Sequence, residues 1–247
     1  MIKIISHTII IILFTVVSQL GGLAWLIALN YKRRILVFIA TYCALSLAAL
    51  WIAPMLGREP LPCISGNALR MQSTVFCILN RQYVVPELKE VLTDYAARME
   101  HDFPNTTTRV LDANFPFVSG FPLLPHLSHD DGRKVDLAFY YEDETGYLPN
   151  ATRSPIGYFA FEQGPTDCPD NSMTLRWDLA WLQNLWPNYQ PEALRMKAGL
   201  QWLGDDERVG KVFIEPHLRA RYEAQSAKIR FQGCRAARHD DHIHVQL

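Results

Sequence analysis

His239, His242 and His244 crowd the last nine residues of the chain and make up three of its eight histidines. Imidazole is the commonest metal ligand and the side chain best matched to proton transfer near neutral pH. His242 and His244 are two apart in an extended segment, and a strand places alternate side chains on one face, so both rings point the same way. His239 lies three residues earlier, where a turn could return it to them. A catalytic zinc usually takes three protein ligands and keeps a fourth position open. The tail therefore needs partners from elsewhere.

The best-placed partners lie in residues 128–139, where His129 closes an irregular loop, Gly132 permits a sharp bend, and Asp136 sits near the start of an apolar strand. A carboxylate between Val135 and Leu137 is costly to bury unpaired, and a metal ion would remove that cost. The same aspartate could face solvent beside a surface histidine, and this segment alone does not decide between the two.

Taken together, the two segments resemble the lysostaphin, D-alanyl-D-alanine metallopeptidase and hedgehog group. The resemblance rests on His129-x6-Asp136, with Gly132 three residues after the histidine, followed far downstream by His242-x-His244. The run 239–245 is most similar to the penicillin-insensitive murein endopeptidases, and the likeness covers roughly residues 86–247. It implies one zinc ion held by His129, Asp136 and His244, a catalytic His242, and His239 as a further active-site histidine. It also implies a peptide cross-link of peptidoglycan as substrate. The chemistry is coherent, because two neutral imidazoles and one carboxylate leave zinc a net positive charge, which brings its water toward pKa ~7. His242 could then assist deprotonation or, as imidazolium, stabilise an oxyanion.

Lys134, preceded by Arg133, stands where D-alanyl-D-alanine peptidases commonly carry a small residue. Arg81 and Arg109 are the candidates for a carboxylate-binding arginine, though arginines are more often surface charges. With no clear clamp, an endopeptidase is favoured over a D,D-carboxypeptidase on the same scaffold. A non-catalytic zinc-stabilised module that binds cell wall or protein is the alternative from another class. His239 and His242 weigh against it, since structural zinc would need only His244 of the three.

Other residues carry weaker signals. His126 is near enough to His129 to reach the site, whereas His101 and His217 have no partner pattern. Trp177, Trp181 and Trp186 could line a sugar-stacking groove but on a helix are more often core. Asp130, Asp131, Asp240 and Asp241 could orient the imidazoles, or simply form turns.

The elements that must position these groups follow from the rest of the chain. Net charge is −1, which gives no reason to expect a nucleic-acid partner. Residues 4–29 and 35–56 are apolar runs, each longer than the ~20 residues a membrane helix needs. A signal peptide fits poorly, because the first run is too long and lacks a small-x-small cleavage site. Lys32, Arg33 and Arg34 fill the loop 30–34, which the positive-inside rule makes cytoplasmic. The expectation is a multi-pass protein of the inner (cytoplasmic) membrane, with its N-terminus and everything beyond residue 56 in the periplasm or exterior.

Cys63, Cys77, Cys168 and Cys234 lie in that exported part. They allow three pairings into two disulfides, or remain free and buried. Residues 1–57 form the expected two-helix transmembrane hairpin, 58–85 a linker and extension, and 86–247 the zinc peptidase-like domain. Periodicity predicts helices at 86–100, 174–185, 191–203 and 216–222. Strands are predicted at 107–115, 135–141, 157–161, 211–214, 228–231 and 242–247. The expected fold class is α+β, with a central, mainly antiparallel sheet and flanking helices.

Overall fold

The structure, a computed structural model, describes residues 2–247 apart from 65–67, 170–175, 177 and 178. Helices α1 (Ile2–Ser18) and α2 (Gly21–Ala28) divide the first apolar run. The chain reverses at Gln19, whose φ is 59°, and α2 folds back along α1, with the Trp25 ring 6.0 Å from His7 and 5.9 Å from Phe14. Glycine makes the close approach possible: a Cβ on Gly22 would stand 1.8 Å from Thr15 Oγ1. Residues 4–29 therefore do not form one membrane-crossing helix, and the expected two-span hairpin is corrected. Hydropathy registers apolarity but not where the chain turns. Among the described residues, α3 (Arg34–Met55) is the one helix long and apolar enough to cross a membrane.

One face of α3 is covered by the rest of the molecule. Tyr42 Oη donates to the Ile78 carbonyl at 2.6 Å, and Asn80 Nδ2 donates to Tyr42 Oη and Ser46 Oγ, each at 3.0 Å. Above them Leu20, Ala49, Ala53 and Tyr83 form a small buried cluster joined by Phe117. The opposite face exposes Leu47, Trp51 and Met55.

The remaining elements are, in order, β1 (Glu59–Pro60), β2 (Leu69–Met71), α4 (Thr74–Ile78), β3 (Tyr83–Val84), α5 (Pro86–Asp102), β4 (Thr108–Val110), β5 (Lys134–Ala138), β6 (Tyr141–Asp143), β7 (Gly146–Tyr147), α6 (Ala180–Gln183), β8 (Gln190–Pro191), α7 (Ala193–Asp205), β9 (Lys211–Phe213), α8 (Pro216–Arg221), β10 (Ile229–Arg230) and β11 (His242–Gln246). The class is α+β. The largest sheet runs β10-β9-β11-β5-β4-β2. Its three inner pairings are antiparallel, while β10–β9 and β4–β2 are parallel. The sheet is thus mixed, where a mainly antiparallel one was expected. The β9–β10 pair is joined by a crossover through α8, the connection that parallel strands require, whereas β2 and β4 lie far apart in sequence.

The segment 58–85 is more than a linker, since β2 forms an edge of this sheet and Leu69 and Met71 enter the core. The span 157–161 is irregular rather than a strand, and only Thr108–Val110 of 107–115 is one. Most of 174–185 lies outside the described residues or beyond α6. Helix α5 begins with Pro86 in its first turn, where the missing N–H costs nothing. Its Leu88, Val91, Leu92, Tyr95 and Met99 pack in one core with Val135, Leu137, Ile243 and Val245. Cys63 pairs with Cys77 and Cys168 with Cys234, leaving Cys43 of α3 free.

Candidate metal centre

Strands β5 and β11 are paired so that His244 lies directly opposite Asp136, and His242 opposite Ala138. With a period of two, Val135, Leu137, Ile243 and Val245 face the core while Asp136, His242 and His244 share the other face. That face is also covered: Asp136 is fully buried and both histidines are nearly so. On the far side β9 contributes Phe213, whose ring stacks on His244 with centroids 5.5 Å apart.

The loop between β4 and β5 brings the third group. His129 Nδ1–H donates to the Ala113 carbonyl at 2.9 Å; because a carbonyl only accepts, this fixes the tautomer and turns the Nε2 lone pair inward. Gly132 is required here. Its φ is +81°, and a Cβ would stand 2.1 Å from the Arg58 guanidinium. Its N–H donates to Asn114 Oδ1 at 2.9 Å, which pins the end of the loop.

Three donor atoms thereby converge. His129 Nε2 is 3.2 Å from His244 Nδ1 and 3.3 Å from Asp136 Oδ1, and His244 Nδ1 is 2.8 Å from Asp136 Oδ1. Ligands held about 2.0–2.1 Å from a tetrahedral zinc stand ~3.3 Å apart. Two of the three separations match that spacing, and the third is a contact that a shared cation would lengthen slightly. The donor set fits a dication, and these three residues can hold a metal ion.

His242 lies beside this triad. Its Nδ1 faces Asp241 Oδ1 at 2.5 Å, and Asp241 Oδ2 accepts the Phe159 backbone N–H at 2.7 Å. This leaves His242 Nε2, 3.6 Å from Asp136 Oδ1, buried and without a hydrogen-bond partner among the described residues. His239 is buried next to it, with ring centroids 4.9 Å from His242 and 5.6 Å from His244. On the other side of the carboxylate, His126 Nδ1 is 2.8 Å from Asp136 Oδ2, and Tyr158 Oη donates to the same oxygen at 2.7 Å.

The protein groups alone give the centre an uneven charge pattern. Burial opposes ionisation of Asp136, yet the imidazoles of His129, His242 and His126 outweigh it and hold the carboxyl well below its usual range. Burial also opposes a charge on His242, but Asp136 and Asp241 overcome it and raise the imidazole to about 9. Burial wins at His244, lowering it to about 4, and at His239, whose neighbours His242 and His244 add to the effect. For His129 the desolvation is outweighed by Asp136, so its affinity for a proton rises. Burial, followed by Asp136, keeps Tyr158 protonated as a donor.

A cavity of about 600 Å³ opens onto the centre, walled by His126, Tyr158, His242, Arg81, Phe76 and Leu124. Most of its wall is apolar or aromatic, and of the centre's imidazoles those of His126 and His242 line it. Arg81 reaches it but is held by the buried Asp112, its Nε donating at 2.9 Å, and by the Leu124 carbonyl at 2.8 Å. Arg109 instead donates to the Met71 and Asn150 carbonyls, away from the site.

All five residues expected from the sequence, His129, Asp136, His239, His242 and His244, come together. Asp241 orients an imidazole, whereas Asp240 pairs with Arg238. Asp131 accepts from Lys134 Nζ and the Arg133 N–H, so the lysine beside Asp136 is engaged away from the metal ligands. His101 is on the surface beside Asp102, and Trp181 is exposed. Trp186 and His217 lie outside the cavity, and Trp177 is outside the described residues. His126 was only suggested by its spacing from His129, and Tyr158 had no signal, because an irregular segment delivers it. No protein-family model matches the chain, and no curated protein is significantly similar to it.

Proposed function

We propose that this protein is a membrane-anchored zinc metallopeptidase that hydrolyses peptide cross-links of peptidoglycan outside the cytoplasm. The observation that carries the reading is the convergence of His129 Nε2, His244 Nδ1 and Asp136 Oδ1 beside His242, which lines a cavity and whose buried Nε2 has no hydrogen-bond partner among the described residues. A binding module would need the three ligands but not a fourth imidazole held in orientation beside them by Asp241. The substrate class comes from the resemblance of the two motifs to murein endopeptidases. Two disulfides support an oxidising compartment. The apolar α3 preceded by Lys32, Arg33 and Arg34 supports a membrane anchor whose basic end is cytoplasmic.

Zinc held by His129, Asp136 and His244 would supply a Lewis acid that polarises the scissile carbonyl and makes water a nucleophile near neutral pH. The chain's own groups divide the remaining work. Asp241 fixes the His242 ring so that Nε2 faces the reacting atoms. In its neutral form that nitrogen accepts a proton from the attacking water, and as imidazolium it donates to the developing oxyanion or to the leaving amine. Tyr158 and His126 hold the Asp136 carboxylate from its other oxygen. The Arg81 guanidinium is already neutralised by Asp112, which favours an endopeptidase over an enzyme that clamps a terminal carboxylate.

The test is digestion of cross-linked muropeptide dimers by the full chain in detergent micelles. Conversion to monomers that stops with a chelator and returns with zinc is the expected result. Undiminished conversion in the presence of the chelator would reject the reading.

A further inference from the structure

The Asp136 carboxylate has imidazoles at both of its oxygens. Oδ1 faces His129 and His244, the pair assigned above, whereas Oδ2 faces His126 Nδ1 at 2.8 Å. His126 Nδ1, an Asp136 oxygen and His242 Nε2 lie within 4.8 Å of one another, which repeats the composition of the first triad: two imidazoles and one carboxylate. His242 Nε2 is buried, aimed into this space, and has no hydrogen-bond partner among the described residues. Its other nitrogen is held by Asp241, the arrangement that orients an imidazole for a metal.

We propose that His126, Asp136 and His242 form a second, weaker position for a divalent cation, and that filling it switches the site off by ligating His242. The proposal rests on the reading of His129, Asp136 and His244 as the resident zinc position. Two imidazoles and a carboxylate suit zinc and similar borderline dications better than calcium or magnesium, which prefer oxygen.

Three features make the second position weaker. It shares its only carboxylate with the first ion. A cation there would lie within a few ångströms of another cation, as in two-metal sites. Tyr158 Oη competes for Asp136 Oδ2. His126, in turn, makes the position reachable, because it lines the open cavity and is the least buried of the three. High free metal would therefore remove the proton-handling group from service while the resident ion stays in place.

Equilibrium dialysis of the full chain in detergent micelles against buffered zinc tests this, with cobalt absorption as a second probe. The wild type should take up two equivalents, the second weaker by at least roughly tenfold, with the cobalt spectrum changing again as it binds. His126→Ala and, separately, His242→Ala should each keep the tight equivalent and lose the weak one. A wild type that holds a single equivalent up to millimolar zinc would overturn the proposal. So would a second equivalent that persists in both variants, or loss of both equivalents in each. Stoichiometry is read without substrate, so a chain that binds two ions but leaves muropeptides intact would reject the hydrolase reading, and the switch with it, while retaining the second cation position.

Discussion

Asp136, His242 and His244 stand on two paired strands, whereas His126 and His129 stand on the irregular loop that precedes β5. On the strands, geometry follows from register: once Val135 and Ile243 are buried, pairing and pleat put the carboxylate against His244. The loop has no such rule. It is held by separate contacts, including Phe117 N–H to Gln19 Oε1 at 3.0 Å, Arg58 to Ser119 at 2.8 Å, and Arg81 to the Leu124 carbonyl. Two of those partners, Gln19 and Arg58, belong to or adjoin the apolar helices. The lesson is that the strand half is intrinsic to the sheet, while the loop half depends on the N-terminal helices the loop rests on.

The largest expected effect comes from the strand half. Asp136→Ala removes the group that His126, His129, Tyr158, His242 and His244 all approach, and zinc measured after dialysis should fall below one-tenth of an equivalent per chain. Tyr158→Phe withdraws only one outer hydrogen bond and should weaken zinc binding about 10- to 100-fold, read by competition with a chromogenic chelator.

In the loop half, Gly132→Ala forces an alanine into positive φ against Arg58. It should cost on the order of 1–3 kcal/mol, seen as a lower thermal midpoint and weaker zinc binding with the β5–β11 pairing intact. Proton linkage separates the halves further. Burial lowers His244 to about 4, so it is already neutral, whereas Asp136 raises His129 above its ordinary value, so that a proton competes with the metal for its Nε2 as pH falls. Apparent zinc affinity should therefore rise with pH through the neutral range, by up to about tenfold per unit, and flatten above the His129 pKa. The smallest effect is that of Gln19→Ala, which removes one hydrogen bond worth roughly 0.5–1.5 kcal/mol. It should loosen the loop's amide exchange while leaving that of β11 unchanged.

The same division explains what the sequence could reveal. His242-x-His244 was legible because the strand period is local, whereas the segment around Asp136 left metal and solvent both open and the aspartate was singled out through the resemblance of the two motifs. The helices beginning at Pro86 and Pro216 were legible from proline at the first turn. Tyr158 was not, since only tertiary packing carries it to Asp136 across irregular chain. Strand β2 escaped for a similar reason, since its partner β4 lies far along the chain, whereas β10 was legible and only its parallel pairing with β9 was not. The reversal at Gln19 was hidden inside a uniformly apolar run, and its one local trace was Gly21-Gly22, which lets α2 lie against α1.

The central claim is that His242 works on the substrate while His129, Asp136 and His244 hold the metal. Full-length His242→Ala, assayed for bound zinc and for cleavage of a muropeptide dimer on the same sample, tests it most directly. The account predicts one tightly held zinc per chain and turnover reduced about 10²- to 10⁴-fold. A variant that keeps its zinc and cleaves at the wild-type rate would contradict it.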